Sequence, residues 1–175
     1  MKVSKLIKKI QNRYRKPPCL FHFTDTRNIP EIVRHGLLSR DERLRLGVTP
    51  IVTGGNDWSH DQDVRNQLTD FVHLCFFNTH PMEFIARRDE RFADTFFIKV
   101  LPEVLDRDGV KFCAGVSNAA DAEIFDVNDF EEHMDMDALF KRLDWRDAEQ
   151  LARVKATEKY EILIPKRIPK KFLRK

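Results

Sequence analysis

No stretch of this sequence approaches the ~20 consecutive apolar residues that a membrane-spanning helix needs. The basic N-terminus is not followed by the apolar core of a secretory signal, about 7–15 residues long, so a cytoplasmic protein is expected. Cysteine is scarce and badly spaced for chemistry. Cys19, Cys75 and Cys113 are odd in number and far apart, with no CxxC pair. That excludes a disulfide framework and leaves reduced, buried thiols as the expectation. There are no internal repeats and no low-complexity tract, and nothing marks a second domain. With 175 residues, one domain spanning 1–175 with one sizeable core is the expected organisation. Tyr and Trp number 2 each against 14 Phe, which predicts a core built on phenylalanine.

Acid is missing from both ends. Residues 1–16 carry Lys2, Lys5, Lys8, Lys9, Arg13, Arg15 and Lys16, and residues 166–175 carry Lys166, Arg167, Lys170, Lys171, Arg174 and Lys175. The middle is acidic, above all from Asp121 to Asp137, so the net charge of only +3 hides an asymmetry. Two basic ends on one face would make a footprint for a phosphate backbone; apart, they are solvated tails.

Val3, Leu6, Ile7 and Ile10 fall at helical intervals and predict a basic amphipathic helix over 3–15, stopped by Pro17 and Pro18. Residues 19–23 read as a short apolar strand. Asn28 is placed to cap a helix that runs to about His35 and stops at Gly36. Residues 40–69 read as a long polar loop broken by Gly47, Pro50, Gly54 and Gly55. Strands are expected over 71–78, 95–101, 111–113 and 160–164. Helical turns are expected over 125–140, and a helix over 147–157. Short strands interleaved with short helices predict an α+β fold with a mixed or antiparallel sheet.

Two places in this pattern can carry chemistry. His22 sits on the apolar run Leu20-Phe21-His22-Phe23-Thr24, just before a helix start that favours an anion such as a pyrophosphate. Glu161 lies in Tyr160-Glu161-Ile162-Leu163-Ile164-Pro165, where alternation puts it with Leu163 on one face and Tyr160, Ile162 and Ile164 on the other. Sharing a face with Leu163 suggests a partly apolar cleft wall. Phe76-Phe77-Asn78-Thr79-His80-Pro81-Met82 and Asn118-Ala119-Ala120 are weaker features, a strand running into a proline turn and a patch of small residues.

In this order the four motifs resemble the DarT family of DNA ADP-ribosyltransferases, the toxins paired with a macrodomain antitoxin. The resemblance runs from about Phe21 to Phe172. It implies an ADP-ribosyltransferase-like α+β fold, NAD as the ADP-ribose donor, no metal, and single-stranded DNA as the acceptor. It assigns the catalytic carboxylate to Glu161, the nicotinamide-pocket histidine to His22, and the capping Asn to Asn28, with Thr24 beside them. The family's essential Arg falls in the irregular region before the central strand. Arg65 is the nearest candidate there, with Arg43 and Arg45 as competitors. FVHLCFFNTHPMEF lacks the aromatic-rich motif of the thymine-modifying members and is closer to the guanine-modifying branch.

The implied chemistry suits these residues. Cleaving the nicotinamide–ribose bond passes through an oxocarbenium-like state, which a positioned carboxylate stabilises. The same carboxylate can take a proton from the attacking base nitrogen. Three other readings remain at this point. One is the same fold acting on RNA or protein, and another a non-catalytic nucleic-acid-binding module. The third is a metal hydrolase built on His60, Asp61, Asp63 and His73, whose spacing matches no metal-ligand pattern.

Overall fold

The computed structural model describes residues 1–49, 52–53, 64–65 and 67–174. Its strands are β1 (Leu20–Asp25), β2 (Leu37–Leu38), β3 (Phe71–Cys75), β4 (Thr95–Val100), β5 (Lys111–Cys113), β6 (Ile124–Phe125), β7 (Glu161–Pro165), β8 (Arg167–Ile168) and β9 (Leu173–Arg174). Seven of them form one sheet in the order β6-β5-β7-β3-β1-β4-β9, every neighbouring pair antiparallel, and β2 pairs with β8 in a small second ladder. The helices are α1 (Val3–Asn12), α2 (Ile29–His35), α3 (Arg40–Leu46), α4 (Pro81–Arg88), α5 (Phe130–His133), α6 (Met136–Phe140) and α7 (Ala148–Thr157). The fold is α+β with an antiparallel sheet, as the interleaved short elements predict.

The helical spacing of α1 does the packing expected of it. Leu6, Ile7 and Ile10 enter a core shared with Leu20, Leu74, Phe76, Ile162 and Ile164. On the cationic face Lys5 pairs with Glu131, and Arg15, past the end of the helix, pairs with Glu158. The helix ends at Asn12, before the prolines, because the next residue turns inward. Arg13 is 2% exposed, and its guanidinium donates to the carbonyls of Arg15, Phe76, Pro17 and Cys19. Burial lowers its pKa to about 10.

Residues 40–69 are not all loop. Ser39 accepts from the Glu42 N–H and starts α3, which ends at Gly47 in the left-handed region. Gly36 closes α2 as expected, with φ of 82°. A Cβ there would collide with the backbone carbonyl of Ile168 in β8. Gly36→Ala is therefore expected to cost about 2 kcal/mol or more, measured as a lower midpoint in denaturant unfolding.

The central feature for function is a split in the sheet. β1 follows β4 through six consecutive pairs, from Leu20↔Val100 to Asp25↔Thr95, but meets β3 only at Phe21↔Cys75. Beyond that pair the two strands diverge, and a cavity opens between them.

Candidate active site

His22 stands where the β1–β3 ladder stops. Its Nδ1 lies 2.9 Å from the His73 carbonyl, which can only accept, so Nδ1 carries the proton and Nε2 is left as an acceptor. Burial, with the nearby charges of His73 and Arg43 in support, lowers the His22 pKa to about 4. The ring is neutral at pH 7. Its folded pKa lies below the ordinary value of about 6.5, so the unfolded chain binds the extra proton first. Wild-type stability is thus expected to fall, relative to His22→Gln, as pH drops from 6.5 to about 4, with no further divergence below. Thermal unfolding of both proteins across that window checks the sign.

Thr24 and Asn28 continue the same wall. Asn28 occupies the residue before α2, but its side chain does not cap that helix, contrary to expectation. Its Nδ2 donates to Thr24 Oγ1 (3.1 Å) and to the Val52 carbonyl (2.8 Å), while its Oδ1 accepts the Val52 N–H (3.1 Å). The amide thus pairs with a backbone as a neighbouring strand would, and holds Val52 against the cavity. Asp25 instead caps the 3-10 turn Thr26–Asn28 that leads into α2 by accepting the Arg27 N–H, and it also accepts the Ala93 N–H.

Glu161 opens β7 opposite Cys75 of β3 and Cys113 of β5. The alternation is as the sequence reads, since Ile162 and Ile164 enter the main core while Glu161 faces the cavity. The carboxylate is 6% exposed. Oε2 accepts from His73 Nδ1 at 3.0 Å, from the Ser117 N–H at 3.3 Å, and from the Ser117 hydroxyl. Oε1 lies 3.3 Å from His80 Nε2, an ion-pair distance without hydrogen-bond alignment. His80 Nδ1 accepts the Met82 N–H, which leaves the proton on Nε2, facing the carboxylate. Burial is the largest influence on Glu161 and pushes its pKa up. The hydrogen bond from His73 and the charges of His73 and His80 outweigh it, and hold the carboxyl well below the usual carboxylate range. Burial, with Glu161 adding to it, raises the Cys113 pKa to about 11 and moves the Cys75 thiol the same way, so neither is a nucleophile at neutral pH.

The cavity measures about 230 Å³, and His22, Thr24, Asn28 and Glu161 all line it. Of the three arginines considered from sequence, only Arg43 reaches it. Arg65 is exposed and does not line the cavity, and Arg45 is exposed and paired with Glu42. Arg40, one turn before Arg43 on α3, lines the cavity too. Arg43 Nε and Arg40 Nη1 are buried atoms without a hydrogen-bond partner among the described residues. Burial, then the neighbouring Arg40, lowers the Arg43 pKa. Two half-buried guanidiniums that repel each other suit an anionic ligand.

Ser117, His73 and His80 are the residues that sequence reading missed as parts of this site. His73 had entered only as one member of the metal reading; its companions at 60, 61 and 63 lie outside the described residues. Among the described residues no group of three or more His, Cys, Asp or Glu is placed to hold a metal ion, and no helix is long and apolar enough to cross a membrane.

Known structures share this arrangement of strands. The chain is similar to the DarTG protein of Thermosipho africanus solved in complex with ADP-ribose, with a TM-score of 0.65 and 16% identity. That match covers 89% of this chain and 42% of the other, so the chain spans under half of that relative's length. It is also similar to the DarT protein of Thermus sp. 2.9. The form solved with ADP-ribosylated ssDNA gives a TM-score of 0.62 at 17% identity, over 92% of this chain and 82% of that one. The form solved with NAD+ gives 0.58 at 18% identity, over 92% and 81%. At these identities the likeness establishes the fold. No curated protein matches the sequence. The family model described as ssDNA thymidine ADP-ribosyltransferase, DarT, matches residues 21–175, and the chain belongs to that family.

Proposed function

We propose that this chain transfers ADP-ribose from NAD to a base of single-stranded DNA, with Glu161 as the carboxylate that stabilises the reacting ribose. The observation that carries this reading is an ionised, buried Glu161 lining the same cavity as His22, Thr24 and Asn28. A positive charge that develops at the ribose is stabilised far more by a carboxylate in a closed cavity than by one in water. Held below the usual carboxylate range, the carboxyl is ionised and ready for both roles. It stabilises the charge at the ribose and can take up the proton of the attacking base nitrogen. His22, neutral and with Nε2 free to accept, suits the amide of nicotinamide.

Arg43, with Arg40 behind it, is the group for the pyrophosphate, in place of Arg65. Arg43→Ala is expected to raise the KM for NAD by at least about tenfold, the worth of one charge-assisted hydrogen bond, while Arg65→Ala stays within about twofold. Steady-state kinetics on the two variants separates the assignments; equal effects would return Arg65 to the site.

The base is a finer point. The central-strand sequence favours guanine, whereas the family description names thymidine. Incubating the protein and NAD with short single-stranded oligonucleotides of restricted base composition, then fragmenting the product, names it. Label on RNA or protein instead would keep the site and move the acceptor. The Thermosipho relative is a DarTG protein, and a macrodomain antitoxin is the partner we propose, with action in the cytoplasm.

A further inference from the structure

Tyr14 is 56% exposed and Trp145 66% exposed, unusual for rings of this size. Each has a guanidinium within cation–π range. Arg142 Cζ lies 5.5 Å from the Tyr14 ring centroid, and Arg146 Cζ lies 5.4 Å from that of Trp145. Arg142 and Trp145 are three residues apart on the segment between α6 and α7, so the two ring–guanidinium pairs are carried by one short segment. Lys9 adds a further such contact, with its ammonium over Phe140 at the end of α6.

The nearby acids are largely committed elsewhere. Asp137 pairs with Lys141, Glu158 pairs with Arg15, and Asp147 caps α7. Asp144 accepts the Arg146 N–H and is outnumbered by Arg142, Arg146 and Lys9. Flat apolar faces beside unpaired positive charge suit a strand whose bases are unpaired and whose phosphates are close by. A duplex hides those base faces.

Arg15, next to Tyr14, pairs with Glu158 at 3.2 Å, and Glu158 lies just before the start of β7 at Glu161. Tyr14 is thus tied, through Arg15, to the turn that precedes β7. Tyr14 precedes residue 21, where the match to the family begins.

We propose that Tyr14, Arg142, Trp145 and Arg146 form a second contact for single-stranded DNA, which stacks bases that lie outside the catalytic cavity. The proposal rests on the DNA-transferase reading for its substrate. Its test is fluorescence anisotropy of labelled strands of about 20 and about 5 nucleotides, with wild type and a Tyr14→Ser/Trp145→Ser variant. Loss of two stacking faces is expected to weaken binding of the longer strand roughly tenfold or more, and of the shorter by less than about twofold. Transfer to the shorter strand should stay at the wild-type rate, and thermal midpoints should coincide, since both rings are exposed. An Arg142→Gln/Arg146→Gln variant should flatten the dependence of log K on log salt for the longer strand by about 1.4.

Unchanged affinity for the longer strand overturns the proposal. Equal losses at both lengths, or an equal loss on duplex, do so too. A wild type that binds the longer strand through these rings yet transfers nothing would sink the transferase reading and keep this one. Transfer with no dependence on strand length would do the reverse.

Discussion

Glu161→Gln is expected to cut the rate of transfer at least about a thousandfold, while NAD binding weakens by less than about tenfold. The asymmetry follows from where the carboxylate acts. In the ground state NAD presents a ribose whose positive charge has not yet built up at the bond to be broken, and a neutral amide beside it costs little. At the transition state that charge is largely developed, and the buried carboxylate meets it with little water between them. Gln keeps the volume and the place in the ladder between Cys75 and Cys113, so it isolates the charge. It does not keep every hydrogen bond, because His73, Ser117 and His80 all turn donors toward this carboxylate. One of those donors would face the amide NH2. The variant should therefore unfold somewhat more readily at pH 7, and retained NAD binding, followed by calorimetry, is the control for the fold. Loss of NAD binding in parallel with rate would make Glu161 a binding residue instead.

The largest expected effect on stability lies outside the site. Arg13→Ala should cost about 3–5 kcal/mol, a fall in Tm on the order of 10 °C. Arg13 is among the largest fully buried side chains, and its guanidinium is matched to backbone carbonyls rather than to an acid. Those carbonyls belong to Phe76, just past the end of β3, and to Pro17 and Cys19, on the approach to β1. One planar fork of donors thus ties together the two strands whose divergence makes the cavity. Removing it strands several buried acceptors at once, each worth about 1–3 kcal/mol when unsatisfied. Arg13→Lys retains a charge but not the fork, and should recover less than half of the loss. Differential scanning calorimetry on the three proteins measures both. A drop of less than about 1 kcal/mol in the Ala variant would mean that water replaces the guanidinium freely.

Much of this architecture is local in origin and was legible for that reason. The alternation through Tyr160-Glu161-Ile162 fixed which way the carboxylate turns, and the spacing of Leu6, Ile7 and Ile10 fixed the buried stripe of α1. Gly36 announced the end of α2. One miss had a readable signal. Ser39-Arg40-Asp41-Glu42 is a capping-box sequence, and it starts the helix that brings Arg40 and Arg43 to the cavity. Other features depend on pairing between distant segments. Asn28 looks like a helix cap until Val52 offers it a backbone to bind. The apolar run from Phe71 to Asn78 looks like one strand, but its ladder ends at Cys75, and the next carbonyl goes to Arg13. His73, Ser117 and His80 converge on Glu161 from β3, from the segment after β5, and from the residue before α4. No spacing within one chain segment encodes that meeting.

The most direct test of the central claim is the mass of a single-stranded oligonucleotide after incubation with NAD and this protein, beside the same reaction with Glu161→Gln. The account requires a gain of one ADP-ribose on the DNA with wild type and none with the variant over the same time. A gain of equal size with both would contradict it, because transfer would then proceed without the carboxylate on which the whole site converges.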